Sequence, residues 1–501
     1  MRSVMRGVLG FRSGLARARP QLTTTSPAYI RPSLIIRRQQ TTESAAPFDS
    51  QDSTGVNEGT RPNETIKRIR LDSNTPEQGT FDANLPQNGV LFELLGNAGS
   101  PKTKRTLLPS LWLRDNCRCS ECVNQDTMQR NFDTFKIPVD IHPKSYKKTD
   151  TELSITWSDD HVSTYSLDFI KYYLRHSYRK LPHTQVKREF FTSELANNPP
   201  SVPYEAVMNL DDKGVASLTS VIMKHGFAFV DNTPHSDPLK TKELLERIAF
   251  IRETHYGGFY DFTPDLSMAD TAYTNLALPA HTDTTYFSDP AGLQSFHLLS
   301  HTPAPNSSND ATQPDTTHNT GGEATTPPPS SPQGGKSLLV DGFRAAAVLR
   351  RESPLSYKIL SSVRLPWHAS GNAGITISPD RRYPVLELGP ERDSVKVSRV
   401  RWNNDDRGVV PLVENEGGFT PAQWYEAARK WDEILRRKES QLWVQLVPGR
   451  VLIFDNWRVL HGREAFTGVR RICGAYINRD DFISRWMNTN LTKDDLLKVV
   501  G

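Results

Sequence analysis

Long hydrophobic runs are absent. Nothing in the 501 residues approaches the ~18–20 consecutive apolar residues that span a bilayer, and mean hydropathy is −0.55. A membrane-spanning helix is excluded, and no membrane partner is expected. Cysteine is scarce, with four in the chain. Three cluster as Cys117, Cys119 and Cys122, and Cys473 stands alone. A secreted disulfide framework would spread its cysteines. Tightly spaced thiols in a cysteine-poor chain point to metal ligation instead. Residues 1–42 contain no acid and no lysine, but eight arginines, with Ser and Thr between them. That composition predicts a mitochondrial transit peptide. Without those eight, 53 basic residues face 57 acids, so the body has no basic excess and nucleic acid is not an expected partner. Residues 302–335 lack Val, Ile, Leu, Met and every aromatic, and hold seven prolines. Such a stretch cannot offset its ordering entropy by burial and reads as a disordered insertion.

At roughly 100–200 residues per domain, the length predicts two to four domains. Residues 43–80 are polar and read as a linker with little fixed structure. From 81 to 200 a small β-rich domain is expected. Leu153 to Trp157 alternates with period two, and His161 to Tyr165 follows across a Ser-Asp-Asp turn, which signals a hairpin. Residues 201–490 form the second body. Short apolar runs at Gly226–Val230, Leu293–Leu298, Ser337–Val340 and Arg450–Phe454 read as strands of a sandwich or barrel. Helices are expected after Pro238 and Pro421, the second burying Trp424, Ala428, Trp431 and Leu435 on one face.

The chemistry starts at His281-Thr282-Asp283. On a strand, residues i and i+2 point to one side, so an imidazole and a carboxylate could grip one metal ion. The tripeptide is weak alone. With a distant second histidine it would give the two-His, one-carboxylate triad of non-haem Fe(II) oxygenases, which leaves positions open for co-substrate and dioxygen. His461, after a strand, turn and second strand, is the candidate. Arg470 follows nine residues later, and its planar fork suits the far carboxylate of a dicarboxylate.

Three segments carry a family resemblance: Ala272 to Phe287, Leu339-Val340-Asp341-Gly342-Phe343, and Phe454 to Arg463. Together they resemble the γ-butyrobetaine dioxygenase family of Fe(II)/2-oxoglutarate-dependent oxygenases, the carnitine-biosynthesis branch, from about residue 85 to 490. The resemblance implies a mainly β protein with flanking helices: a double-stranded β-helix (jelly-roll) catalytic domain and a small N-terminal zinc domain. It implies Fe(II) on His281, Asp283 and His461, Arg470 as the 2-oxoglutarate anchor, Ser337 as a second contact to 2-oxoglutarate, and ascorbate as reductant. Relatives often dimerise, so a homodimer is an assembly to expect.

A quaternary ammonium has no N–H to donate and is held by aromatic faces. Tyr256, Tyr260 and Tyr273 match the family's cage positions, Asp270 its nearby acid and Tyr476 a further aromatic. Alone, these tyrosines would read as packing beside the jelly roll. Relatives often carry Trp where this chain has Tyr260, which would weaken the cage. One of Asn403 and Asn404 matches a substrate contact, and the sequence leaves open which. Three thiolates need a fourth ligand to close a structural zinc tetrahedron. His161 matches the family's ligand, and His142, nearer in sequence, is the runner-up. Two substrates are in question: trimethyllysine, hydroxylated at C3 in the first step of carnitine biosynthesis, and γ-butyrobetaine, hydroxylated in the last. Asp270, the wording around His281 and the matrix-type leader favour trimethyllysine. A scaffold without turnover is the rival from another class, and the intact triad with Arg470 argues against it.

Overall fold

The computed structural model describes residues 68–72, 75–82, 88–94, 103–175, 182–264, 274–303, 332–389, 396–412, 418–493 and 495–496. The expected transit peptide, most of the 302–335 insertion, Asp270 and Tyr273 lie outside them. Among the described residues no helix is long and apolar enough to cross a membrane.

Alternation along the strands builds two facing sheets. Phe227–Asp231 sends Phe227 and Phe229 one way and Ala228 and Val230 the other. Its neighbour Arg450–Asp455 does the same with Leu452 and Phe454 against Val451 and Ile453. These two are interior strands of a seven-stranded sheet that also holds Ser201–Pro203, Leu293–Thr302, Val469–Gly474, Tyr260–Phe262 and Tyr476–Ile477. Opposite it lies a four-stranded sheet of Leu278–His281, Val459–Arg463, Ser337–Asp341 and Leu442–Val444. Phe227, Phe229, Leu452, Phe454 and Ile472 from the first sheet meet Leu339, Leu442 and Val459 from the second. This shared apolar layer is the jelly-roll core.

Helices cover both outer faces. Lys213–His225, Leu239–Ile248 and Arg479–Asn490 bury Leu218, Leu244 and Phe482 with Val230, Val451 and Ile453. Gly342–Glu352, Pro354–Ser362 and Pro421–Arg436 pack with Leu338, Val340 and Leu460 of the smaller sheet. The helix expected after Pro421 starts with a capping box, in which Thr420 accepts from the Gln423 amide and the Gln423 side chain reaches back. Trp424 and Trp431 are buried on it, as their spacing predicts.

One buried ion pair ties these layers together. Arg458 donates to Asp341 at 3.2 and 2.8 Å, and its remaining N–H groups reach the carbonyls of Lys224 at 2.9 Å and Glu189 at 2.6 Å. Asp341 also accepts from the amides of Phe191, Phe343 and Arg344, and so caps the helix that follows it. Gly226, at φ +89°, lets the chain pass beside Arg458; a Cβ there would fall 2.9 Å from Val459.

The N-terminal part is a four-stranded antiparallel sheet, in which Glu77–Thr80 adds to the meander Pro143–Lys148, Glu152–Trp157 and Val162–Ser166, beside a three-stranded sheet. Val90, Phe92, Leu153, Ile155 and Trp157 form its core with Ile170 and Leu174 of helix Leu167–Arg175. Two expectations need correcting. Residues 43–80 are not linker throughout: Arg68–Arg70 pairs parallel with Gly89–Leu94, and Glu77–Thr80 pairs with Pro143–Lys148. Ile69 is fully buried, but its charged neighbours hide that in the sequence. The boundary is also not at 200. Phe191 packs against Phe227, and residues 189–191 are held by Arg458 and Asp341, so this segment already belongs to the second body.

Removing one partner of a buried ion pair strands the other. Asp341→Ala should therefore lower the free energy of unfolding by about 3–5 kcal/mol. Denaturant melts check this, and a loss below about 1 kcal/mol would place the pair's role elsewhere.

Candidate active site

His281 ends its strand directly opposite His461 on the antiparallel neighbour, so their imidazoles emerge side by side, 4.3 Å between ring centroids. Asp283 joins them by a different device from the one the sequence suggested. The strand stops at His281, and Asp283 sits in the turn that follows, so strand alternation does not place it. Asn456 does. Its side-chain carbonyl accepts from the Asp283 amide at 2.9 Å, and its NH2 donates to the carbonyls of Asp283 and Ala291, both at 3.0 Å. Thr284 turns the chain at φ +57° and accepts from the Ala291 amide.

Asp283 Oδ1 lies 3.1 Å from His281 Nε2 and 3.8 Å from His461 Nε2. Its Oδ2 accepts from Gln294 and from the Tyr476 hydroxyl, each at 2.7 Å. One ligand atom from each of the three residues lies within 4.8 Å of the others. Burial, then His281, pushes the His461 imidazole down to about 3, so it is neutral and a lone pair is free for a metal. Burial also opposes charge on His281, but Asp283 and the Pro279 carbonyl lift it to about 9. Burial would raise the Asp283 carboxyl; the two imidazoles outweigh it and hold it well below the usual carboxylate range. A cation among these donors would supply the positive charge that the His281 proton supplies beside Asp283 here.

The cluster faces a cavity of about 370 Å³. One end is basic. Arg470 is 3% exposed, its Nε has no hydrogen-bond partner, and no ion pair to it is found among the described residues. Burial, with Arg463 nearby, brings it down to about 10, still charged at neutral pH. Gly335, beside Arg470, adopts φ +75°, a left-handed conformation that favours glycine, and a Cβ there would press on Phe466 at 3.2 Å. Ser337 lines the same cavity. A buried guanidinium without a carboxylate is suited to an anionic ligand.

Tyr256, Tyr260 and Tyr476 line the wall, as does Asn403. Asn404 is turned away and accepts from Arg407 at 3.2 and 3.3 Å. Gly474 makes the close packing at Tyr260 feasible: a Cβ there would meet the Tyr260 hydroxyl at 2.8 Å and run into the Ser295 carbonyl. Sequence reasoning missed Gln294 and Asn456. Gln294 was a polar residue inside an apolar strand, and Asn456 stood in a quoted motif without a role; both were available signals.

In the first domain Cys117, Cys119 and Cys122 place their sulfurs 3.3, 3.6 and 3.4 Å from His161 Nε2. His142 is not in this cluster; its Nδ1 lies 2.9 Å from the Asp140 carbonyl.

A jelly roll with two imidazoles and one carboxylate at its mouth defines a site of the non-haem iron oxygenase class. Comparison with known proteins agrees. Residues 178–476 match the model of the taurine catabolism dioxygenase TauD, TfdA family, and residues 101–171 match the γ-butyrobetaine hydroxylase-like N-terminal model. A trimethyllysine dioxygenase of Neurospora crassa is 61% identical over 403 residues, 79% of this chain and 84% of the relative. The human mitochondrial trimethyllysine dioxygenase is 37% identical, covering 75% of this chain and 80% of the relative. Human γ-butyrobetaine dioxygenase is 28% identical, covering 76% and 91%. The chain belongs to the TauD, TfdA dioxygenase family and, within it, to the branch of the trimethyllysine dioxygenases. It is an Fe(II)/2-oxoglutarate-dependent dioxygenase.

Because Asn456 fixes the backbone of Asp283, Asn456→Ala should weaken Mn(II) binding by about 10–100-fold, as loss of an outer support does at other metal sites. A metal titration equal to that of the unaltered chain would show that the turn holds itself.

Proposed function

We propose that the chain hydroxylates N6,N6,N6-trimethyl-L-lysine at C3 in the first step of carnitine biosynthesis. The observation that carries this is the His281–Asp283–His461 cluster at a cavity with a buried arginine at one end and tyrosines on its wall, in a chain 61% identical to a trimethyllysine dioxygenase. The γ-butyrobetaine reading is disfavoured by the lower identity of 28% to that enzyme. When bound, Fe(II) with dioxygen and 2-oxoglutarate supplies the oxidation of C–H to C–OH, with release of succinate and carbon dioxide.

In this reading His281, Asp283 and His461 would hold the iron, and positions they do not fill would take small ligands. Arg470 grips the far carboxylate of 2-oxoglutarate through its fork, and the Ser337 hydroxyl assists. Tyr256, Tyr260 and Tyr476 surround the trimethylammonium, with Tyr273 and Asp270 assigned from the sequence pattern alone. Asn403, which lines the cavity, is the substrate-contacting member of its pair. The cage fixes one end of the substrate, so distance from it selects the carbon presented to the metal. Cys117, Cys119, Cys122 and His161 hold a structural zinc, a closed set with no open position. Ascorbate serves as reductant. The arginine-rich leader and the mitochondrial names of the animal relatives support action in the mitochondrial matrix.

A competition assay decides the substrate. Protein lacking residues 1–42 receives Fe(II), ascorbate, 2-oxoglutarate and either trimethyllysine or γ-butyrobetaine, and products are read by mass spectrometry. Hydroxytrimethyllysine with matching succinate is expected. Hydroxylation of γ-butyrobetaine alone would overturn the substrate, and neither product with iron verified would overturn the proposal.

A further inference from the structure

Strand Tyr476–Ile477 pairs antiparallel with Leu293–Thr302, and Tyr476 stands directly opposite Gln294. Opposed residues of an antiparallel pair project to the same face. Here both donate to one atom, Asp283 Oδ2, at 2.7 Å each. The other oxygen, Oδ1, is left facing the two imidazoles. The backbone beneath is fixed as well. The Ser295 hydroxyl accepts from the Ala475 amide at 3.0 Å and donates to its carbonyl at 3.2 Å.

The ring of Tyr476 meanwhile forms a cavity wall, 8% exposed, 6.0 Å from the Tyr260 ring at an interplanar angle of 65°. Tyr260 donates its own hydroxyl to the Ser295 carbonyl at 2.6 Å. The two neighbouring rings thus differ in what their hydroxyls hold. Tyr260 holds backbone; Tyr476 holds the carboxylate of the metal cluster. Among the described residues, Tyr476 both presents a phenol ring to the cavity and donates to Asp283 Oδ2, the oxygen turned away from the imidazoles; Gln294, the other donor to that atom, offers no ring.

We propose that Tyr476 is a positioning residue that couples the two halves of the site: a quaternary ammonium seated against its ring and a divalent metal held through Asp283 favour each other's binding. The inference rests on the aromatic-cage reading above. A cation on the ring face fixes the ring, so the hydroxyl is already placed when the metal arrives, and less ordering remains to be done. The same hydroxyl occupies Oδ2 and turns Oδ1 to the metal. Two cations close together repel, and the phenol is what offsets that repulsion. Linkage requires the effect to be reciprocal.

The test uses the full chain and Mn(II), whose free concentration is read by electron paramagnetic resonance, so no turnover is involved. Dissociation constants are measured for the unaltered chain, Tyr476→Phe and Gln294→Ala, each alone, with trimethyllysine and with tetramethylammonium. Tyr476→Phe keeps the ring and the repulsion but loses the hydroxyl. It should bind Mn(II) about 10-fold more weakly or worse. Trimethyllysine and tetramethylammonium should tighten Mn(II) binding by about fivefold or more in the unaltered chain, not in Tyr476→Phe. Gln294→Ala should also bind Mn(II) more weakly but keep the tightening, which a merely structural role for Tyr476 would not produce. Equal tightening in Tyr476→Phe, or none in the unaltered chain with either cation, overturns the proposal. Tightening by tetramethylammonium but not by trimethyllysine supports the coupling and counts against the substrate reading instead.

Discussion

Everything at the active site depends on His281 facing His461 in register across two antiparallel strands. A slip of one residue on either strand would send one imidazole to the other face of the sheet. The register is held from both sides. Leu339 of the next strand pairs with His461 and buries itself in the core between the sheets. Gly462 lets the neighbouring strand come close, since a Cβ there would meet the Pro279 carbonyl carbon at 3.1 Å. The core between the sheets therefore does more than stabilise. It aligns two side chains supplied by residues 180 positions apart in sequence.

Asp283 completes the set by hydrogen bonding. Its backbone is fixed by Asn456, one carboxylate oxygen by Gln294 and Tyr476, and the remaining oxygen is directed at the imidazoles. Arg470 contributes the opposite kind of constraint. It is a buried charge without a carboxylate among the described residues, a cost that an anionic ligand would relieve. Two buried arginines illustrate the contrast. Arg458 is satisfied by Asp341 and two carbonyls and serves the fold. Arg470 is left open towards the cavity.

Much of the catalytic body was legible because strand alternation and motif spacing are local signals. The runs at 293–298, 337–340 and 450–454 became strands, and the triad and Arg470 met at one cavity. What was not legible depended on tertiary contacts. The sequence put His281 and Asp283 on one strand; a turn clamped by Asn456, 173 residues away, positions Asp283 instead. Arg68–Arg70 read as linker because one buried Ile69 between charges gives no periodic signal. Residues 189–191 read as the end of the first domain, yet their anchors, Arg458 and Asp341, are far along the chain. Which of Asn403 and Asn404 lines the cavity depends on the direction of a turn, in which Arg407 holds Asn404.

The central claim is that these three side chains form one iron site. Anaerobic Fe(II) titration in the presence of zinc, with calorimetric readout, tests it directly, comparing the unaltered protein with Asp283→Ala. The account predicts one Fe(II) per unaltered chain and none in the variant under the same conditions. An Asp283→Ala chain that still binds one Fe(II) with the original affinity would contradict it.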